Sequence, residues 1–511
     1  MSKHTELELK LICTDRRMWG RIMTSQSLRE IAVPDSKVCQ TLEAYYFDTE
    51  IGSLQKEKLA YRIRREGEQW IATVKGGGAS HGGLHDRQEW NVVVSNAEPD
   101  ITVFSNTDIG EKLIEVIGDQ ILNPILITRF ERTSLDVIMA DGSQIEVAAD
   151  EGVIIAGSQT APILEVELEL KAGQAAAVVR LGAMLAKEYP LLPESKSKFY
   201  RGLKLAGLVT DEPLETNQLI QLDKHMAASE GLRTGLVQLI LQVLVAQQLF
   251  FENQTQTEAL HELRIALRRL RSLLDFSSRL FTDEQYQWYQ AELRTLGQCM
   301  GVLRDIDVAY ENWRQYSQVI IREDKTALGE VLAKYRLKET EKLYKSLYHG
   351  LSSPLLLDLW ATLIEPQAPK FLEDHLSIQE YVVQYFAAWI KNVSKQSKNI
   401  DWTQTDTVHK IRLQIKKIKY VLQVFQPLLR EIPQFSVRLD VLQDKLGLLT
   451  DYASIDNLFR TLLTGKATKA LHLEIGMIIG WNEYEKMFIQ NKMDKYWKKF
   501  HNVAKKWEWN K

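Results

Sequence analysis

Residues Thr5–Cys13 read TELELKLIC, in which Glu6, Glu8 and Lys10 alternate with Leu7, Leu9 and Leu11. A period of two is that of a β-strand, whose successive side chains point to opposite faces. The fold turns on where the charged face looks. On an ordinary half-buried strand it faces water; here it could equally face a ligand. One strand alone does not decide, because a wet face laced with cross-strand ion pairs fits it as well.

The strands that follow narrow the choice. LAYRIRRE, QWIATVKG, RQEWNVVVS, RTSLDVIM, SQIEVAAD and ILEVELELK keep the same period. Turns such as Ala140–Asp141–Gly142–Ser143 separate them, as in an antiparallel meander. Arg62 and Arg64 fall opposite Tyr61 and Ile63. Lys75, Arg87 with Glu89, Arg132, Glu146 with Asp150, and Glu165, Glu167 and Glu169 continue the polar set. A solvated face mixes Ser, Thr, Gln and Lys, whereas this one is nearly all carboxylate, arginine and lysine. The first and last strands carry the acids and the middle strands most of the bases. In a closed barrel one alternating set faces inside. An interior this charged is costly unless partners compensate it. A polyanion suits the arginine forks and the lysines, and a hard divalent cation such as Mg²⁺ suits the carboxylates. The two together describe a metal–polyphosphate site.

This motif set resembles the CYTH, or triphosphate tunnel metalloenzyme, superfamily. Glu6-x-Glu8-x-Lys10 matches its ExExK signature. YYFDT (Tyr45–Thr49), LAYRIRRE, ATVKG, RQEWNV, GSQIEVAADEGVI, LEVELEL and ESKSKFYRG follow in order over residues 1–205. The resemblance implies an eight-stranded antiparallel β-tunnel that acts on a triphosphate with Mg²⁺ or Mn²⁺. It implies a metal-binding end formed by Glu6, Glu8, Glu165, Glu167 and Glu169. Lys10, Arg62, Arg64, Lys75, Arg87, Arg132, Lys198 and Arg201 would clamp the phosphates, with Asp150 an acidic tunnel residue. Glu8, Glu167 and Lys10 are the implied catalytic groups. No side-chain nucleophile is needed, because phosphoryl transfer is driven by positioning and charge neutralisation, and a carboxylate can orient the attacking water. KGGGASHGG (Lys75–Gly83) lacks the P-loop pattern and reads as a flexible strand connection.

From about residue 215 the period becomes helical. Length and this change of period predict an α+β chain: a strand-rich domain at 1–205, which the resemblance implies is a tunnel, a polar linker at 206–219 and an all-α domain at 220–511. The helical part contains a repeat, near 220–350 and 375–511. LHELRIALRRLRSLLDF from Leu260 matches VHKIRLQIKKIKYVLQVF from Val408, and GVLRD (Gly301–Asp305) matches GLLTD (Gly447–Asp451). At about 100° per residue, His261, Arg264, Arg268 and Arg271 form one stripe, and His409, Arg412, Lys416 and Lys419 form another. Ordinary surface helices intersperse acids for i,i+4 pairing, and these stripes contain none. The pattern resembles the CHAD domain, which implies a pseudo-two-fold helical bundle binding inorganic polyphosphate. Nucleic acid is disfavoured, because aromatics for base stacking, apart from Tyr420, do not interleave with the stripes.

The combination implies a bacterial inorganic triphosphatase that hydrolyses tripolyphosphate to pyrophosphate and phosphate. Thiamine triphosphatase, nucleoside triphosphatase or adenylate cyclase activity in the same tunnel is the first alternative, and a non-catalytic polyphosphate-binding scaffold the second. Three scattered cysteines, Cys13, Cys39 and Cys299, suggest neither a disulfide framework nor a metal site. The opening MSKHTELELK has no apolar core of a signal peptide, and no uninterrupted apolar run approaches membrane-spanning length. The expected setting is cytoplasmic, with no membrane partner. A net charge of −3 decides little, since local segregation can be strong.

Overall fold

The computed structural model describes residues 5–210, 220–254, 256–318, 326–366, 371–396, 400–429, 433–463 and 468–506. The period-two segments are strands: β1 (Thr5–Cys13), β2 (Val38–Thr49), β3 (Ala60–Glu66), β4 (Gln69–His81), β5 (Leu84–Val94), β6 (Leu122–Ile138), β7 (Gln144–Ala156) and β8 (Gln159–Ala172), with a short β9 (Leu191–Pro193). They pair antiparallel in the order β5-β4-β3-β2-β6-β7-β8-β1. β1 then pairs back onto β5, with Glu6 opposite Arg87, and so closes the barrel. β9 adds to the far end of β1.

The Lys75–Gly83 stretch differs from the flexible connection expected. It is the end of β4 and a tight turn into β5, with a bulge between Gly76 and Ala79. At Gly78, with φ of +82°, a Cβ would lie 1.8 Å from the Asp86 carbonyl oxygen. The glycines are there for close backbone approach.

Six helices dress the barrel: α1 (Arg16–Trp19), α2 (Gln26–Ile31), α3 (Ser53–Lys56), α4 (Gly110–Ile117), α5 (Ala175–Glu188) and α6 (Lys198–Leu205). α5 covers the leucine face of β1. A Cβ on Gly182 would sit 2.4 Å from Leu9 Cδ2, so helix and strand meet at the closest approach glycine permits. The apolar face of β1 is therefore the outside of the barrel and the charged face the inside. A second core lies outside β3–β5, where Tyr61, Ile63, Val74 and Trp90 pack with Phe104, Leu113 and Ile117. α6 packs Leu203 against Leu126, Phe130, Ile154 and Ile163, and its Gly202 clears Leu126. That seating aims its first-turn Lys198 into the interior.

Beyond the barrel come α7 (Ala228–Glu252), α8 (Thr257–Phe276), α9 (Asp283–Cys299), α10 (Gly301–Tyr316), α11 (Ala327–Tyr348), α12 (Ser353–Ile364), α13 (Ile378–Gln396), α14 (Thr405–Phe425), α15 (Pro433–Leu462), α16 (Lys469–Gln490) and α17 (Met493–Lys506). The chain divides into two compact units, and the expected boundaries need one correction. Ser346–Pro366, with α12, belongs to the barrel unit rather than the helical one. There Arg180 of α5 donates to Asp358 at 2.8 Å and pairs with Glu365. α12 buries Leu355, Leu356, Leu357, Leu359 and Trp360. A helix apolar on most sides does not announce which core receives it. Residues 211–219, most of the expected linker, lie outside the described residues.

α7 is long and apolar enough to cross a membrane by length and composition, and half of that stretch is buried in the protein. Gly231 packs on Ile378 and Gly235 on Leu273, as in a core helix. α8 and α14, which carry the two basic stripes, pack against each other. A short bridge pairs Ala227 with Ser377, at the starts of α7 and α13.

Candidate functional site

Strand register decides which charges meet inside the barrel. Glu8, Glu169 and Glu146 lie in one row across β1, β8 and β7. Lys10 faces Glu167, and Glu165, Asp150 and Arg132 form the next row across β8, β7 and β6. The cavity they enclose measures about 900 Å³ and lies wholly within the barrel unit. Its wall includes Glu6, Glu8, Lys10, Arg62, Arg64, Lys75, Arg87, Arg132, Glu167, Glu169 and Lys198.

The centre is a dense network of ion pairs. Lys10, 3% exposed, lies 3.1 Å from Glu167 and 3.5 Å from Glu8. Arg132 forks onto Asp150 at 2.6 and 2.7 Å and reaches Glu167 at 2.5 Å. Lys198 contacts Asp150, Glu165 and Glu167 at 2.8–2.9 Å. Burial works against every one of these charges, yet the partners win. Lys10, Lys198 and Arg132 stay above their ordinary ranges, and Lys198, Lys10 and Arg132 hold Glu167 well below the carboxylate range. The Phe130 ring lies under both Lys198 and Arg132, 5.2 and 5.7 Å from its centroid, a cation–π platform that orients them.

The β3–β5 side is less satisfied. Burial pushes Glu6 up to about 8, Glu8 and Glu89 add to it, and Lys75, at 2.5 Å, opposes it. Burial and Arg62 push Arg64 down, although it pairs with Glu66. The Nε atoms of Arg62 and Arg64 are buried and find no acceptor. Among the described residues Arg87 makes no ion pair. Arg62 has one ion pair, with Glu89 at 3.6 Å, so these cations keep donors unused, an arrangement that phosphate oxygens satisfy.

The residues also suit a hard cation in donor type. Three carboxylates side by side across adjacent strands repel one another unless a cation separates them, and oxygen donors are what Mg²⁺ or Mn²⁺ takes. As the side chains stand, no three such groups converge among the described residues. Lys171 holds Glu169 at 2.8 Å and Glu146 at 3.5 Å, so a metal there would displace this lysine.

Of the residues expected at the site, the cavity wall brings together all but Asp150, Glu165 and Arg201. Glu165 is fully buried behind Lys198 and pairs with Arg201, which also donates to the Pro162 carbonyl. Strand parity alone puts Glu165 in the interior set. It cannot show that α6 then covers it. The sequence places Glu89 and Glu146 in the inward polar set without a role at the site, and it misses Lys171, though this too has the interior parity. It also missed Tyr46 and Phe130, which read as ordinary core aromatics.

In the helical unit a cleft of about 510 Å³ gathers Arg264, Arg268 and Arg271 from α8 with His409, Arg412 and Lys416 from α14. Arg294 and Lys417 join them, and Lys417 pairs with Asp275. Two expected members fall elsewhere. His261 lines a neighbouring cavity with Arg304 and Arg336, and Lys419 turns to Asp440 at 2.8 Å. The G-x-L-x-D aspartate Asp451 braces Arg412 at 3.0 Å and Arg304 at 3.8 Å. Burial pushes Arg264 down to about 9, with Arg268 and Arg304 adding. Burial, then Arg268 and Arg412, pushes Lys416 down to about 6. The buried Nε atoms of Arg271 and Arg412 lack acceptors.

Comparison with known proteins divides the chain in the same way. Residues 6–203 match the CYTH domain family and residues 236–460 the CHAD domain family. An inorganic triphosphatase of Haemophilus influenzae is 35% identical over 163 residues, which cover 32% of this chain and 45% of that protein. The chain therefore spans a little under half the length of that relative. The structure of the CHAD domain from the plant Ricinus communis aligns at 18% identity with a TM-score of 0.44, covering 56% of this chain and 95% of that one.

Proposed function

From a chain that carries a CYTH domain followed by a CHAD domain, we propose a metal-dependent inorganic triphosphatase. It cleaves tripolyphosphate to pyrophosphate and phosphate inside the barrel, and its basic helical cleft binds inorganic polyphosphate. The observation that carries the reading is the pairing, in one cavity, of acceptor-less Arg62 and Arg64 Nε donors with the Glu8–Glu169–Glu146 row.

Arg62, Arg64, Arg87 and Lys75 bind and orient the phosphate oxygens. Lys10, fixed between Glu8 and Glu167, adds a charge that cannot drift away. A bound Mg²⁺ or Mn²⁺, held by Glu8, Glu146 and Glu169 with Glu6 beside them, would supply further neutralisation of the phosphate charge. Lys10 holds Glu8 below the ordinary carboxylate range against burial. Glu8 is therefore ionised at neutral pH and takes the proton of the attacking water. Glu167, Asp150 and Glu165 hold Lys10, Arg132 and Lys198 in place rather than touching substrate.

A thiamine or nucleoside triphosphate is the second reading. It is favoured by the Tyr46–Phe199 stack, centroids 5.3 Å apart, on the wall of the same cavity. Phosphate release from tripolyphosphate, ATP and thiamine triphosphate with Mg²⁺, Mn²⁺ and chelator separates the two. Tripolyphosphate should be turned over fastest and only with metal. No release from any of the three would leave the polyphosphate-binding scaffold as the surviving alternative.

In the helical unit, the acceptor-less Arg271 and Arg412 Nε atoms support anion binding. The shared order of stripe helix and G-x-L-x-D segment in the two halves supports their reading as repeats. Retention of long-chain polyphosphate by the full chain at low salt, lost on combined Arg268→Ala and Arg412→Ala substitution, tests the cleft.

A further inference from the structure

α16 buries Leu471, Ile475, Ile478 and Ile489 against its own unit, yet its outward face is apolar too. Leu473, Met477, Trp481, Tyr484, Met487 and Phe488 are 37–66% exposed. Their spacing of three and four places them on one side of a helix over four turns. No charged residue interrupts this side. Glu483 flanks it, paired with Lys486 at 3.1 Å, and Lys492 closes its end over the Phe488 ring. At roughly 200 Å² for a large side chain, the six leave on the order of 600 Å² of apolar surface uncovered, the upper end for a monomer's largest patch.

We propose that this face is a self-association surface, on which two copies of the chain pair their α16 helices antiparallel about a two-fold axis between Gly480 and Trp481. The face is complementary to itself in that direction. A Cβ added at Gly476 or Gly480 would meet nothing within 4 Å, so both positions are open notches. The antiparallel register lays Trp481 of one copy over Gly480 of the other. It lays Tyr484 over Met477 beside the Gly476 notch, and Phe488 against Leu473. A parallel register would set Trp481 on Trp481 and leave notch facing notch. A two-fold pair repeats each contact and would bury about 1,200 Å², the lower edge of a specific interface. Aromatic side chains seated in pockets are the contacts that carry such interfaces.

Sedimentation equilibrium of the full chain tests this, with a monomer–dimer equilibrium expected in the micromolar range. Tyr484→Lys and Met487→Lys, both at exposed positions outside the catalytic cavity, should each give a monomer whose tripolyphosphate turnover is unchanged and whose melting temperature matches the parent's at concentrations where the parent is monomeric. Geometry is read by disulfide capture in a Cys39→Ser, Cys299→Ser background. Leu473→Cys chains should cross-link to Phe488→Cys chains and not to one another. A chain that stays monomeric at every concentration, a dimer that survives Tyr484→Lys, or preferential self-linking of Leu473→Cys would each overturn the proposal.

Discussion

In the barrel, Lys10, Arg132 and Lys198 each touch at least two carboxylates, and all three remain charged despite deep burial. In the helical cleft Arg264, Arg268, Arg412 and Lys416 crowd together, with Asp451 paired to Arg412, and burial with repulsion from Arg268 and Arg412 drives Lys416 down to about 6. Under the proposed function both cavities receive an anion. The barrel orients its cations before the anion arrives, as catalysis requires. The cleft leaves more of its charge unbalanced, and on that reading a polyanion would supply the missing counter-charge. Rigid pre-orientation suits turnover of a short substrate; unrelieved repulsion suits retention of a long one.

The largest effect should come from breaking the barrel's shared anion. Glu167→Ala leaves Lys10, Arg132 and Lys198 short of a buried partner, which costs on the order of 3–5 kcal/mol. Turnover should fall about 10³-fold or more, read by denaturant unfolding beside phosphate release. A variant as stable as the parent would show that the network is incidental. Arg62→Ala and Arg64→Ala should behave differently. Each arginine has an Nε that lacks an acceptor but only one carboxylate partner, Glu89 or Glu66, so turnover should drop about 10²-fold, as for loss of one preorganised donor, while stability falls by less than for Glu167→Ala. Unfolding midpoints measured beside turnover would sharpen the contrast between anchoring and receiving cations.

How much of this could be read from sequence follows the same division. Parity assigned the charged face of β1 to the interior, because period two leaves only two choices and the whole strand set had to agree. The pairing of charges was out of reach. That Glu8 meets Glu169, or that Lys198 meets Asp150, depends on register across strands far apart in the chain and on how α6 is seated. The helical stripes were visible as arcs, but an arc does not say where a cleft ends. His261 is one turn too early, and Lys419 lies on the flank that faces α15. α12 reads as helical from sequence but not as part of the barrel unit, because its apolar pattern fits any core.

In the cleft the effects should be smaller and opposite in sign. Lys416→Met removes a base from among Arg268, Arg412 and Arg304. It should raise stability at neutral pH, because folding no longer has to strip this buried lysine of its proton. Polyphosphate affinity should fall, and the slope of log affinity against log salt should flatten by about one ion. A loss of stability would mean that Asp451, the acid that opposes the shift of Lys416, outweighs the cations around it.

The finest test is the proton itself. With Lys416 lowered from 10.5 to about 6 in the folded chain, the unfolded chain holds one proton more between those values. Folding stability should therefore rise with pH across that window, and Lys416→Met should remove the slope. A polyanion in the cleft reverses the shift by restoring a counter-charge beside the ammonium, so binding above pH 6 must draw a proton from solution. Calorimetry of polyphosphate binding at pH 7.5 in buffers of different ionisation enthalpy should show this uptake as a fraction of one proton per site, approaching zero at pH 5. Uptake should vanish in Lys416→Met and persist in Arg62→Ala, whose donor belongs to the other cavity. Equal uptake in both variants would mean that the proton is taken up outside the cleft, and the contrast between the two cavities would fail.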